Sequence, residues 1–383
     1  MNGTIDIIEV KTRKQRHLFV DYVNELYKDS PYFVPAFYGD DMADWDPKKN
    51  PAFQYCEAKM FLAYRDGKIV GRIGAILSHR ANERWGTKRM RFSQVDFIDD
   101  PAVSDALFSA VENWAREKGC DEVHGPLGFC DLDREGMLYE GFDKRSMFIT
   151  YYNHPYYIDH MERLGYVKDA DWFEYLLPIP REPDDNCRRM ERIANSIMKK
   201  TGFRKVEVKR RSEYKPYIKK AFELVNEAYA PLYGVVELGQ EQIEKYADKF
   251  IPLINPDFCC LVVNDKDDLV AFGVMAPSMA EAMRKSRGRL FPFGWIGVLK
   301  ALKKNDTADM FLIAVRPELQ GLGVNAIVMD HMMQSCIRNG IKFAETGSQL
   351  EMNEKVRSQW KMFKLEPHKK RRCFIKKIGQ GDR

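Results

Sequence analysis

The residues Gln320-Gly321-Leu322-Gly323-Val324-Asn325 have the types and spacing to hold an anion. Before them comes an apolar run short enough for a buried strand, Met310-Phe311-Leu312-Ile313-Ala314-Val315, and Pro317 ends ladder pairing in between. After them Val324, Ile327, Val328, Met332 and Ile337 recur at near-helical spacing. A strand, a glycine turn and a helix in that order leave helix N-terminal N–H groups unpaired around one spot. Those donors, with the positive end of the helix dipole, suit a phosphate. Glycines at 321 and 323 let the anion approach the backbone with no Cβ in the way. The competing reading is an ordinary strand–turn–helix whose glycines serve packing.

Composition narrows the other chemistries. Eight cysteines show no CxxC spacing, and Cys259-Cys260 fall in an apolar run, as reduced thiols that pack like small apolar groups. Seven histidines are scattered without an HxxxH pair, so no metal site is expected. A net charge of +5, from 61 basic and 56 acidic residues, is too mild to argue for nucleic acid. The start has no apolar signal region, and the longest apolar stretch, 291–299, falls well short of the roughly 20 residues that span a bilayer. A soluble, cytoplasmic protein of two or three domains is expected from 383 residues that are 45% hydrophobic and 31% charged.

The elements that must position the glycine turn repeat. Residues 61–77 read as a hairpin around Asp66-Gly67, a dipeptide suited to a type I′ turn, and 260–276 as two β-runs around a polar turn. A strand at 91–97 and a helix at 101–119, opened by Pro101, correspond to 310–339. Helices at 156–165 and 354–363 are each followed by a closing β segment. That order, twice over, predicts two copies of one α/β domain with a mixed sheet, at 1–180 and 187–383, joined by the Pro- and charge-rich linker 181–186. In the first copy Ile98-Asp99-Asp100-Pro101 stands where the second has its glycines, and carboxylates there would repel a pyrophosphate.

The run V-x-P-E-x-Q-G-x-G resembles the pyrophosphate loop of the GNAT (Gcn5-related N-acetyltransferase) superfamily, Q/R-x-x-G-x-G/A, with Asn325 where that pattern has Gly or Ala. The order of elements resembles a tandem GNAT protein over nearly the whole chain. Val70-Gly71-Arg72-Ile73, Gly125-Pro126-Leu127-Gly128-Phe129, Glu135-Gly136-Met137-Leu138, Tyr151-Tyr152-Asn153 and Glu351-Met352-Asn353 resemble a bacterial two-lobed GNAT-like family, with ceramide-synthase-like acyltransferases among the related sequences. The resemblance implies acetyl-CoA or a longer acyl-CoA as donor, held by Gln320, Gly321, Leu322, Gly323, Val324 and Asn325. It also implies a backbone N–H near Ala314 or Val315 on the thioester carbonyl, between a fourth and a fifth strand that splay apart. Acyl transfer to an amine needs a base. Glu345 at the end of strand 341–346 has the right topology, with Glu351 and Asn353 as alternatives. Superfamily members place a Tyr on the next helix as acid for the thiolate; here that helix offers Trp360 and Phe363.

Three further stretches carry expectations. Gly128–Asn153, rich in carboxylates and aromatics and without clear periodicity, reads as part of an acceptor pocket in which Phe129, Asp131, Asp133, Tyr151 and Asn153 receive a small-molecule or lipid amine; a polar surface loop is the plainer alternative. Met279–Leu302 sets Arg284, Lys285, Arg287 and Arg289 before an aromatic–aliphatic run, which suits peripheral contact with an anionic membrane or a cover for an acyl chain; an inserted amphipathic helix plus a core segment is the plainer alternative. Lys369-Lys370-Arg371-Arg372 reads as a solvated turn before a final strand, or as a partner for a CoA phosphate. A protein that holds acyl-CoA without turnover, and an aminoacyl transferase using charged tRNA, are the rival functions; the intact loop and weak net charge argue against the second.

Overall fold

Asp66 and Gly67 both sit at positive φ (50° and 73°), as a type I′ turn requires, and the strands they join pair over their whole length. The computed structural model describes residues 3–208, 210–363 and 365–379. From the N-terminus come β1 (Asp6–Glu9), α1 (Arg13–Leu26), α2 (Tyr38–Asp44), β2 (Cys56–Arg65), β3 (Lys68–Ser78), α3 (His79–Trp85) and β4 (Arg89–Phe97). Next are α4 (Pro101–Glu117), β5 (Glu122–Gly125), β6 (Met137–Glu140), α5 (Tyr156–Arg163) and β7 (Val167–Pro178). The second half has α6 (Asp185–Thr201), β8 (Arg204–Lys205), α7 (Lys215–Tyr229), α8 (Gln240–Phe250), β9 (Cys259–Val263), β10 (Leu269–Pro277), α9 (Ala280–Ser286) and α10 (Gly294–Lys303). It closes with β11 (Thr307–Val315), α11 (Asn325–Arg338), β12 (Phe343–Glu345), β13 (Gln349–Leu350), α12 (Glu354–Ser358) and β14 (Glu366–Lys377).

The chain forms two compact units, each with a mixed sheet of antiparallel strands around one parallel pair. The first holds residues 3–172, 280–297 and 369–379; the second holds 173–208, 210–279, 298–363 and 365–368. These bounds differ from a division at 180 and 187: 173–180 fall in the second unit, and 280–297 and 369–379 in the first. Leu176–Pro178 of β7 pairs with β12 in the second unit, and Phe374–Lys377 of β14 pairs with β5 in the first. The helix expected over 354–363 is shorter, with α12 ending at Ser358.

In the first unit α4 lays Val103, Leu107, Val111 and Trp114 on β2–β4. In the second, α11 presses Ile327, Val328 and Met332 onto β9–β11, and α6 adds Cys187, Met190 and Ala194. Gly273 of β10 allows that approach, since a Cβ there would lie 2.4 Å from Val328 Cγ1. The basic run at 369–372 is no solvated turn. It lies inside β14, with Lys369 and Arg371 buried and Arg372 gripping Asp171 by two bonds of 2.7 and 3.0 Å. Those cations are held by the first unit's own groups.

Candidate functional site

In the second unit β11 runs parallel to β12 for three pairs, Thr307 with Phe343, Ala308 with Ala344 and Asp309 with Glu345. Beyond Glu345 the chain turns to β7, where Thr346 N–H donates to the Tyr175 carbonyl at 2.9 Å and β13 pairs. β11 continues past Asp309, where its pairing with β12 ends, and Gly347 lies beside the Met310 carbonyl, a Cβ there coming to 3.0 Å. At the point of separation Phe311 is bulged, since Met275 faces Met310 while Val274 faces Leu312. Arg316 N–H donates to Val270, which sets the alternation of the β10–β11 ladder. Leu312 and Ala314 thus turn their peptide groups to β10, and Ile313 and Val315 turn theirs to the open edge. Two side chains meet that edge: Tyr229 donates to the Ile313 carbonyl at 3.0 Å and Gln320 Nε2 to the Val315 carbonyl at 3.2 Å. Of the two strand residues expected at the thioester, Val315 therefore presents its N–H to the cleft, whereas Ala314 faces β10.

The glycine turn follows directly. Gly321 and Gly323 sit at φ +80° and +82°, a region glycine reaches without cost. The N–H groups of Gly321, Gly323, Val324 and Asn325 have no acceptor among the described residues, and Val324 caps α11 with no side-chain bond. The Asn325 side chain, the departure from the family pattern, donates to Gln359 Oε1 at 3.4 Å. Leu322 is exposed.

The first unit builds the same order and closes it. Its β4 also bulges, with Gln94 at φ +42°, and pairs in parallel with β5 for three residues. There the following segment fills the split: Leu127 N–H donates to Phe92 at 3.0 Å, and Arg91 reaches the Gly128 carbonyl at 2.9 Å. At the α4 N-terminus Asp100 puts its own carboxylate on Ala102 N–H (2.9 Å) and pairs with Arg65 (2.7 Å). One helix N-terminus is neutralised by a side chain of the chain itself; the other is open.

Strand alternation sorts the acids of the second unit. Ala308, Ala344 and Leu177 face the α11 core, so Asp309, Glu345 and Glu174 share the opposite face, the one α7 covers. All three carboxylates are buried. Glu345 lies 3.7 Å from His368 Nε2, and Ser348 donates to Glu174 at 2.8 Å. Glu351 and Asn353 lie past β13; Asn353 caps α12 through Val356 N–H at 3.2 Å, and the Glu351 carbonyl accepts from Arg357. Only Glu345 of the three expected bases stands at the strand separation.

Two features escaped the sequence reading. Tyr229 comes from α7, about 80 positions before the strand it meets, where no local pattern could announce it. The outer face of α6 carries Arg189, Arg192, Ser196 and Lys200 around Ile193 and Ile197, lining an open groove of about 500 Å³. Ile197 touches the glycine turn: a Cβ at residue 323 would lie 2.9 Å from its Cδ1. The stripe of cations at helical spacing was the available signal.

The residues expected to receive an amine are put to structural use in the first unit. Phe129 packs edge-on to Trp45 in an aromatic core, Asp133 accepts Phe129 N–H (2.8 Å) and Cys130 N–H (3.3 Å), and Asn153 bonds both backbone groups of Leu138. Tyr151 lines, with Asp41, Arg72, Asp96 and Arg134, a polar cavity of about 20 Å³, room for a water. Asp131 sits in an acidic cluster with Glu135 near Arg91. Burial pushes the Asp131 carboxyl up to about 6, helped by repulsion from Asp133, and Glu135 well above the usual range, helped by repulsion from Asp131. A raised carboxyl favours the fold while protonated, and that contribution is lost as pH rises from about 4 through 6. Asp131→Asn should therefore melt above the wild type at pH 8, by up to about 3 kcal/mol, and match it at pH 4; urea titrations at both pH values check this.

His124, Asp169 and Cys373 of the first unit could together present donor atoms to a metal ion. Arg89 already pairs with Asp169 (3.7 Å) and Glu122 (2.7 Å), so Asp169 belongs to an ion network, while burial lowers His124 to about 4 and keeps its imidazole neutral.

The strand separation, the bulge and the helix-opening loop define a tandem GNAT fold. A tandem GNAT protein from the clavulanic acid biosynthesis pathway superposes with a TM-score of 0.57 over 99% of this chain and 100% of its own, at 13% identity. By sequence the chain is similar to Protein YghO of Escherichia coli (strain K12), 28% identical over 94% of this chain and 92% of that protein. It is also similar to a bacterial ceramide synthase of Caulobacter vibrioides (strain NA1000 / CB15N), 27% identical over 83% and 82%. No family model matches the chain.

Proposed function

We propose that the protein is a CoA-dependent N-acyltransferase whose second unit binds the acyl-CoA and performs the transfer to an amine. The observation that carries this is the contrast at the two helix N-termini: free N–H groups behind two positive-φ glycines at α11, against a carboxylate cap at α4. In this reading the pyrophosphate rests on the Gly321–Asn325 amides, and the pantetheine arm pairs along Ile313 and Val315, displacing the Tyr229 hydroxyl. Glu345 takes a proton from the amine, whose nitrogen then bonds the thioester carbon. A backbone N–H of the open β11 edge holds the developing oxyanion. As the C–S bond breaks, Tyr229 is positioned to protonate the thiolate. Glu351 and Asn353 serve the turn that shapes this end of the sheet. The eight cysteines are free and buried, which suits a reducing cytoplasm.

A long-chain donor and a lipid amine acceptor form the second reading, favoured by the 27% identity to a protein named a ceramide synthase. Thiol release from an acyl-CoA ladder, acetyl to palmitoyl, with short and long-chain amines tests both. Release that rises with donor length and needs a long-chain amine favours the second reading. Binding without any release would leave a carrier of acyl-CoA and no enzyme.

The α6 groove belongs to this reading as the seat of the donor's 3′-phosphate. A rise of 1.5 Å per residue puts Arg192 and Arg189 about 7.5 and 12 Å along the helix from Ile197. Neutralising Arg189, Arg192 and Lys200 together should weaken CoA about tenfold and leave dephospho-CoA nearly unchanged, by calorimetric titration at low salt. Equal losses for both ligands would remove the 3′-phosphate assignment.

A further inference from the structure

Phe291 and Phe293 are 79% and 74% exposed, and Trp295, Ile296 and Leu299 are 43%, 37% and 46% exposed. Five large apolar side chains within nine positions thus face solvent. α10 inverts the usual arrangement of a surface helix: it buries Val298 and Leu302 and turns Trp295, Ile296 and Leu299 outward. Contiguous exposed apolar groups of this kind mark an interaction surface.

The segment is held firmly at its base. Arg289 pairs with Asp21 at 2.9 Å and stacks on Tyr38 at 4.1 Å, and Arg287 pairs with Glu25 at 3.0 Å. Gly288, at φ +74°, accepts Tyr38 N–H at 2.9 Å, and a Cβ there would lie 2.2 Å from the Ala36 carbonyl. The two phenylalanines are therefore presented on an anchored turn.

Charge selects the occupant. Between Glu281 and Asp306 there is no acid, while Arg284, Lys285, Arg287, Arg289, Lys300, Lys303 and Lys304 supply seven cations. Lys300, Lys303 and Lys304 are exposed. Arg284 and Lys285 pair with Glu281, Arg287 with Glu25 and Arg289 with Asp21, so a second copy meeting this face by two-fold symmetry would oppose Lys300, Lys303 and Lys304 to their own copies. An anionic bilayer satisfies both parts of the surface: aromatic tips enter the acyl boundary and lysines meet the headgroups. Among the described residues no helix is long and apolar enough to cross a membrane, so the contact is peripheral.

We propose that Phe291–Lys304 docks the protein onto an anionic lipid surface, with Phe291 and Phe293 as the inserted groups. This stands apart from the acyl-transfer chemistry, and its test uses no acyl-CoA. The full chain is sedimented at low salt with vesicles of phosphatidylcholine, alone or mixed with phosphatidylglycerol. The wild type should pellet with the mixed vesicles at least about tenfold more than with the neutral ones, and salt should release it. Phe291→Ser/Phe293→Ser, and separately Lys300→Glu/Lys303→Glu/Lys304→Glu, should each abolish the difference; both sets alter exposed side chains, and melting curves confirm their folding. Wild type left in the supernatant with mixed vesicles would overturn the proposal. So would variants that pellet like the wild type, or light scattering that shows a dimer lost with the two phenylalanines.

Discussion

Gly323→Glu should weaken acyl-CoA binding by roughly 100-fold, about 2.8 kcal/mol, while the protein stays folded. Two effects act together. A residue with a Cβ at φ +82° carries a backbone strain of about 1–2 kcal/mol, which either distorts the turn or draws on binding energy. The new carboxylate would also sit among the amides of Gly321, Val324 and Asn325, as Asp100 sits at the α4 N-terminus of the first unit. The variant makes the second unit imitate the first. Thermal shift with the acyl-CoA ladder is the readout. An unchanged shift in Gly323→Glu would place the ligand elsewhere.

Glu345→Gln should lower kcat about 10²- to 10³-fold with little change in donor KM, provided an acceptor has been found. The carboxylate is buried at the strand separation, on the face that α7 covers, and glutamine keeps its shape without its basicity. The loss should flatten the acid limb of the pH–rate profile as well as reduce the rate. A fall in both melting temperature and donor affinity, with kcat intact, would make Glu345 a packing residue of the sheet. Glu351→Gln and Asn353→Ala are the matched controls, with kcat expected within about threefold of wild type.

The parts of this protein that local sequence announces are those that local physics decides. Asp66-Gly67 dictates a turn, Pro101 and Asp100 start a helix, and Gly321 with Gly323 releases the amides of α11. The Glu345 position followed from strand order. What stayed hidden depends on partners far away in the chain. The closing strands β7 and β14 read as ordinary C-terminal strands of their own halves, and nothing in their periodicity says which sheet edge they join. The run Lys369–Arg372 looks solvated by composition, yet Asp171 and the Arg145 carbonyl take three of its cations within the first unit. Asp133 and Asn153 looked like ligands for an amine because side chains that replace missing backbone partners have the same chemistry as side chains that bind substrates. The phenylalanines at 291 and 293 were legible as apolar, but only packing could show that nothing in their own unit covers them.

The two halves differ at their helix N-termini, open at α11 and capped at α4, and hydrogen–deuterium exchange with saturating acyl-CoA tests that asymmetry most directly. Slowed exchange at Phe311–Val315 and Gly321–Asn325, with Gln94–Val103 unchanged, is the result predicted from an open second loop and a capped first one. Protection at Gln94–Val103, or no protection at Gly321–Asn325 when the ligand is bound, would contradict it.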